Sequence, residues 1–218
     1  MRALPILALL VPLLFFSCAV VRVKRDLGEL LPLEKEHWEI SYLGNGKVSF
    51  SPPGKLLLSS GVPSAPGVTH AALLLSHRVL PKSGFELEVE YTLLAQLREA
   101  TPNPWETFWL FFGYQPGKDG KRTNYALVKP NGLEVGRAWG KFDQSFAFTT
   151  PVPFLLPNTA ARLRVLVPVE GPVEIFFQDK PAGTIPHSAL FHHSGRIGLY
   201  LEDARVAVRE VRVRILGK

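Results

Sequence analysis

The sequence predicts an all-β domain, a two-sheet antiparallel sandwich, preceded by an N-terminal apolar signal or anchor segment. Three observations predict it. Short runs of β-branched and aromatic residues follow one another from Trp38 to the C-terminus, separated by Gly, Pro and Asn. Several of these runs alternate apolar with charged residues at period two. After residue 36 there is no useful stretch of helical period and no long internal repeat.

The leader comes first. Residues 3–21 carry no charge; Arg2 precedes them and Arg22, Lys24 and Arg25 follow. A short positive start and an apolar run read as an export signal over residues 1–18. The chain's one cysteine, Cys18, stands at the end of that run after Ser17, which resembles a bacterial lipoprotein signal and implies lipidation at Cys18. An uncleaved anchor is the alternative, since about 19 apolar residues just span a bilayer. The basic residues after the run would then hold the chain on the cytoplasmic side. Residues 19–36 read as a linker with a short helical stretch, and residues 37–218 as the sandwich.

Thirteen candidate strands follow, at 37–42, 46–50, 54–59, 70–80, 84–97, 107–115, 123–129, 133–138, 145–149, 161–167, 172–178, 196–201 and 204–215. In Phe85–Tyr91 every second residue is Glu, namely Glu86, Glu88 and Glu90. In Arg162–Val167 and Val206–Ile215 arginines alternate with aliphatics. Opposite-sign stripes on neighbouring strands would pair and help set register. Phe108-Trp109-Leu110-Phe111-Phe112 is apolar on both faces, so its strand is central, with core on one side and a concave groove as the candidate for the other.

Composition narrows the function. Apolar residues make up 46% of the 218, too many for a disordered chain. One cysteine permits no internal disulfide and no Cys-rich zinc site. His192 and His193 are adjacent and face opposite ways on a strand, and the other histidines are scattered, so no metal site is expected. No cofactor is implied. Gly117-Lys118 and Gly120-Lys121 lack the following Ser or Thr of a phosphate loop and read as a hairpin tip. The net charge of +6 is too small and dispersed to indicate nucleic acid, and the cluster beside the leader suits an anionic bilayer surface.

The order of these signals resembles the concanavalin A-like lectin/glucanase superfamily, a jelly roll, over Trp38 to the end. Four segments carry the resemblance: Gly46–Phe50 with Gly54–Leu58, Gly84–Tyr91, Trp105–Phe112 with Asn124–Gly136, and Gly195–Ala204. It is similar to bacterial secreted domains that include the 3-keto-disaccharide hydrolase-like group. That superfamily holds lectins, glycanases, lyases and inert modules, so it implies a fold before a function. The Glu-x-Asp-x-x-Glu strand of its laminarinases is absent, and Arg209 and Glu210 stand where calcium-binding members place Asp and Asn.

Three of the four tryptophans fall within 105–139, beside a polar, proline-rich loop at 96–106. Sugars offer flat CH faces and rings of hydroxyls, so their sites combine aromatic platforms with polar groups. Trp105, Trp109 and Tyr125 are the candidate platforms, and Arg98, Lys129, Glu106 and Glu134 the hydrogen-bonding groups. Gln96, Asn103, Trp139 and Gln144 belong to the same constellation. The leading expectation is a membrane-tethered, extracytoplasmic domain that binds a polysaccharide or oligosaccharide in the groove. The first alternative is a glycoside hydrolase or polysaccharide lyase, with Glu106 and Glu134 as candidate catalytic carboxyls. The second is a structural envelope lipoprotein that binds protein partners. The expected location is the cell envelope, membrane-anchored or secreted.

Overall fold

The structure is a computed structural model that describes residues 28–51, 54–65, 67–98, 103–118, 120–141, 143–151, 155, 157–191 and 194–217. The leader, Cys18, His192 and His193 lie outside the described residues. The strands are β1 (Glu29–Leu30), β2 (Trp38–Tyr42), β3 (Lys47–Ser51), β4 (Lys55–Ser59), β5 (Ala71–Leu80), β6 (Phe85–Gln96), β7 (Phe108–Gly117) and β8 (Gly120–Lys129). They continue as β9 (Gly132–Gly140), β10 (Asp143–Thr150), β11 (Ala160–Val167), β12 (Val173–Phe177), β13 (Lys180–Ile185), β14 (Gly195–Glu202) and β15 (Ala204–Ile215).

Every pairing is antiparallel. One sheet runs β13-β12-β11-β6-β15-β4-β3, with β1 also on β15; the other runs β10-β9-β8-β7-β14-β5-β2. The last two strands enter the middle of the two sheets, β14 between β5 and β7 and β15 between β4 and β6. A single residue, Asp203, carries the chain from one sheet to the other. The expected all-β two-sheet sandwich is therefore the observed fold.

The period-two pattern accounts for the core. Leu87, Val89 and Tyr91 of β6 point inward with Leu56, Leu58, Leu163, Val165, Val206 and Val208. They meet Phe108, Leu110, Phe112, Ala126, Val128, Ile197 and Leu199 of the facing sheet. Removing this apolar surface from water, at about 25 cal/mol per Å², is the main drive for closing the sandwich.

The outer face of the first sheet carries the charge stripes, paired as their alternation predicts. Arg162 and Arg164 stand opposite Glu90 and Glu88 on one side of β6, and Arg212 and Arg214 opposite Glu88 and Glu86 on the other. Arg162 reaches Glu90 at 2.8 Å, Arg164 reaches Glu86 at 3.5 Å, and Arg214 also bonds Glu86. The arginine stripe is therefore neutralised within the sheet.

Two strands escape the sequence reading. β13, KPAGTI, contains Pro and Gly and has little strand character, but it is an edge strand, where proline costs no ladder bond. Gln178 and Asp179 join it to β12 with φ of 50° and 62°, the two-residue hairpin geometry. β1 falls in the segment expected to be linker with a helical stretch. There the chain instead makes this short strand and a single 3₁₀ turn at Lys35–His37. Leu31 and Leu33 are buried in the core, and the Trp38 indole donates to the Pro32 carbonyl at 2.8 Å.

Candidate functional site

Strand β7 is apolar on both faces because both are covered. Phe108, Leu110 and Phe112 enter the core. Trp109 and Phe111 point the other way, where Leu73, Leu75, Tyr125, Leu127, Ala138, Tyr114 and Tyr200 join them in a second apolar layer. The register sets Glu134, Leu127, Trp109 and Tyr200 in one row across β9, β8, β7 and β14. The Phe111 and Tyr200 rings stack at 4.7 Å and 15°, and Trp109 stands edge-on to Tyr200 at 5.7 Å. Trp109 also leans on Tyr125 at 5.0 Å.

Two glycines make this layer possible. A Cβ on Gly198 of β14 would come within 2.9 Å of the Phe111 Cβ. A Cβ on Gly136 of β9 would meet the Tyr125 hydroxyl at 2.6 Å and the Ser145 carbonyl oxygen at 2.4 Å. Tyr125 uses the space over Gly136 to donate its hydroxyl to Glu134 Oε1 at 3.0 Å.

Above this floor lies a cavity of about 960 Å³, at the upper end of the roughly 300–1,000 Å³ of ligand pockets. Trp109, Phe111 and Tyr200 face it, and Trp105 stands at the rim with 44% of its surface exposed. Trp105 is tied to the floor, since its carbonyl accepts the Trp109 indole N–H at 3.1 Å. Lys129 and Glu134 line one side and bond each other at 2.5 Å. Tyr42, Tyr200 and Glu202 line the other, with the Tyr200 hydroxyl donating to Glu202.

Burial raises the pKa of Glu202, and the Tyr200 hydrogen bond lowers it again without cancelling the rise. Burial also holds the Tyr200, Tyr42 and Tyr125 hydroxyls protonated, with Glu202 adding to the first two and Glu134 to the third. All three therefore remain hydrogen-bond donors at neutral pH. Burial lowers the pKa of Lys121, and the negative charge of Glu202 opposes that shift.

The structure brings together Trp105, Trp109, Lys129 and Glu134, with Tyr125 in the layer beneath and Gln144 at the edge. It sends Arg98 and Glu106 elsewhere. Glu106 is fully buried, and its Oε1 accepts Arg98 Nε at 2.8 Å and the Asn103 backbone N–H at 2.7 Å. Arg98 Nη2 bonds Asp203 Oδ2 at 2.7 Å. Asp203 Oδ1 accepts the His70 N–H, and its backbone oxygen accepts the Leu97 N–H, both at 2.7 Å. Arg98 and Glu106 thus clamp the sheet-to-sheet corner, and neither lines the cavity. The turn before β7 points Glu106 inward, where Arg98, two residues after β6, compensates its charge while also reaching the distant Asp203. Glu106 and Glu134 do not form a carboxylate pair in one groove.

The sequence reading missed Tyr42, Lys121, Tyr200 and Glu202. Alternation in Gly198-Leu199-Tyr200-Leu201-Glu202 puts Tyr200 and Glu202 on the face opposite the buried Leu199 and Leu201, which is the signal that would have found them. Trp139 is an odd number of residues from Glu134, and it faces a second cavity.

No family model and no curated protein sequence matches the chain. Solved structures do match. A carbohydrate binding module, CBM66, from Bacillus subtilis superposes with TM-score 0.60 at 19% identity, covering 82% of this chain and 95% of that one. A Bacillus subtilis protein of unknown function with a galectin-like fold gives TM-score 0.64 at 14% identity, covering 87% and 97%. A glycosidic hydrolase gives TM-score 0.61 at 11% identity, covering 87% and 96%. Identities this low speak for architecture alone. The strand order and these superpositions make the fold a two-sheet jelly roll, the architecture shared with these lectin-like and hydrolase structures.

Proposed function

We propose that the protein binds a polysaccharide or oligosaccharide in the groove of the β10-to-β2 sheet, as an extracytoplasmic domain tethered to a membrane by its leader. The carrying observation is the aromatic floor: Trp109, Phe111 and Tyr200 lie beneath a cavity whose rim presents the exposed Trp105. Stacking on such rings suits sugar CH faces, and Lys129, Glu134, Tyr200 and Glu202 supply fixed donors and acceptors for hydroxyls. The carbohydrate binding module among the structural neighbours supports the same reading. An open cavity favours it over a purely structural role.

The carboxylates favour binding over hydrolysis. Glu106 is outside the groove, and of the three carboxylates that line it, Glu134, Asp143 and Glu202, the pair Glu134 and Glu202 flanking the aromatic floor lie three strands and two residues apart, roughly 16 Å between backbone positions. Glycosidase pairs stand roughly 5–9.5 Å apart. A glycan array with isothermal titration tests the proposal. Wild type is expected to bind at least one glycan, and Trp105→Ala to weaken it about tenfold or more while leaving the unfolding temperature near wild type. A folded sample that binds no glycan sinks the reading.

A further inference from the structure

Next to the groove lies a cavity of about 670 Å³ at the far end of β8 and β9. Lys118, Lys121, Arg122, Arg137 and Lys141 line it, against one carboxylate, Asp143, among the described residues. Lys121, Lys141 and Asp143 line the groove as well, so the two cavities are neighbours over one rim. The bottom of the smaller one is aromatic: Trp139 and Phe191 meet edge to face at 6.1 Å.

The two arginines are held without acids. The Arg122 guanidinium carbon sits 4.5 Å from the Phe191 ring centre and that of Arg137 5.2 Å from the same ring; Arg137 is also 5.9 Å from Trp139. Among the described residues neither makes an ion pair, in contrast to Arg98, Arg162, Arg164, Arg196, Arg212 and Arg214. Stacking occupies the faces of a guanidinium and leaves its N–H edges free and oriented. Two such groups held against one ring place two cations within one cavity, where an oxyanion could accept from both.

We infer that this cavity is a subsite for the acidic substituent (carboxylate, sulfate or phosphate) of a glycan whose chain lies in the groove. The inference rests on the proposed carbohydrate binding and narrows it to acidic saccharides. The aromatic groove next door favours a saccharide over nucleic acid, because the basic cluster is confined to one short cavity rather than drawn out as a stripe.

The test uses the full chain in detergent and glycans in matched pairs: pectate against methyl-esterified pectin, and dextran sulfate against dextran. A duplex DNA serves as a polyanion without sugar hydroxyl faces. Wild type is expected to prefer the acidic member of at least one pair by about tenfold or more, and that pair names the acid. Arg122→Gln/Arg137→Gln is expected to erase the preference and leave binding of the neutral member unchanged. Should that variant not fold, Lys118→Gln/Lys141→Gln, at two exposed positions, is expected to shrink the preference in the same assay. Equal binding of acidic and neutral members overturns the inference and leaves the groove reading standing. A preference that survives in the folded variants, or DNA bound as tightly as the acidic glycan, also overturns it. Absence of any glycan binding by folded wild type overturns both.

Discussion

Glu202 and Gly136 show how much of the groove depends on single atoms. Glu202 titrates higher in the fold than its ordinary value of 4.5, chiefly because it is buried. The folded state therefore holds that proton more tightly than the unfolded chain. Its stabilising contribution is complete below about pH 4.5 and is lost as pH rises through the raised folded value. Gln at this position cannot ionise. Glu202→Gln should therefore gain thermal stability relative to wild type as pH climbs from below 4.5 to neutrality; a difference in unfolding temperature that stays flat with pH would refute this. Gly136 is a second case. Ala there would crowd the Ser145 carbonyl and the Tyr125 hydroxyl. Gly136→Ala should cost about 1–3 kcal/mol and loosen the Tyr125–Glu134–Lys129 chain. Denaturant unfolding checks the first effect and glycan titration the second.

Among the elements, β6, β7 and the β14–β15 corner divide the work. The alternation of β6 and the two-faced apolarity of β7 are legible in the sequence because each is a local period-two pattern. From them follow the charge ladder, the core and the aromatic groove face, as the structure bears out. Arg98 and Glu106 misled because their roles depend on Asp203, a residue 105 positions from Arg98. No local pattern reports such a partner, and a charged residue next to a tryptophan-rich strand reads equally as binding group or corner clamp. Tyr200 and Glu202 were legible as a face but not as neighbours of Trp109, because β14 reaches β7 only after a long excursion of the chain. The corner makes its own prediction. Asp203 is fully buried at φ 39°, so its replacement removes the acceptor for Arg98 and for the His70 N–H. Asp203→Ala should cost about 3–5 kcal/mol, as when a buried charge loses its partner. Asp203→Asn should cost less, because Asn tolerates positive φ and keeps one acceptor oxygen. Equal losses for the two would show that the corner needs neither the acceptor nor the backbone tolerance.

Across the whole molecule, charge is sorted by place. The arginines of the charge ladder are paired with Glu86, Glu88 and Glu90, while Arg122 and Arg137, which make no ion pair among the described residues, gather with Lys118 at the tip of β7 to β9. The remaining basic group, Arg22, Lys24 and Arg25, follows the leader in sequence. We propose that this group and Cys18 serve attachment rather than folding, since Leu31, Leu33 and Trp38 already join the core among the described residues and the basic group precedes them. A single acyl chain gives only marginal membrane binding, so firm tethering calls for a second acyl chain or a basic patch beside it. Cys18→Ser should therefore move the protein out of the membrane fraction of a bacterial host, or leave it as an unprocessed precursor, without changing the unfolding temperature of the domain. Intact mass of the membrane-extracted wild type should show loss of residues 1–17 and a gain of lipid on Cys18. Membrane retention of Cys18→Ser at unchanged mass apart from the substitution would instead assign the hold to residues 3–21 as an uncleaved anchor.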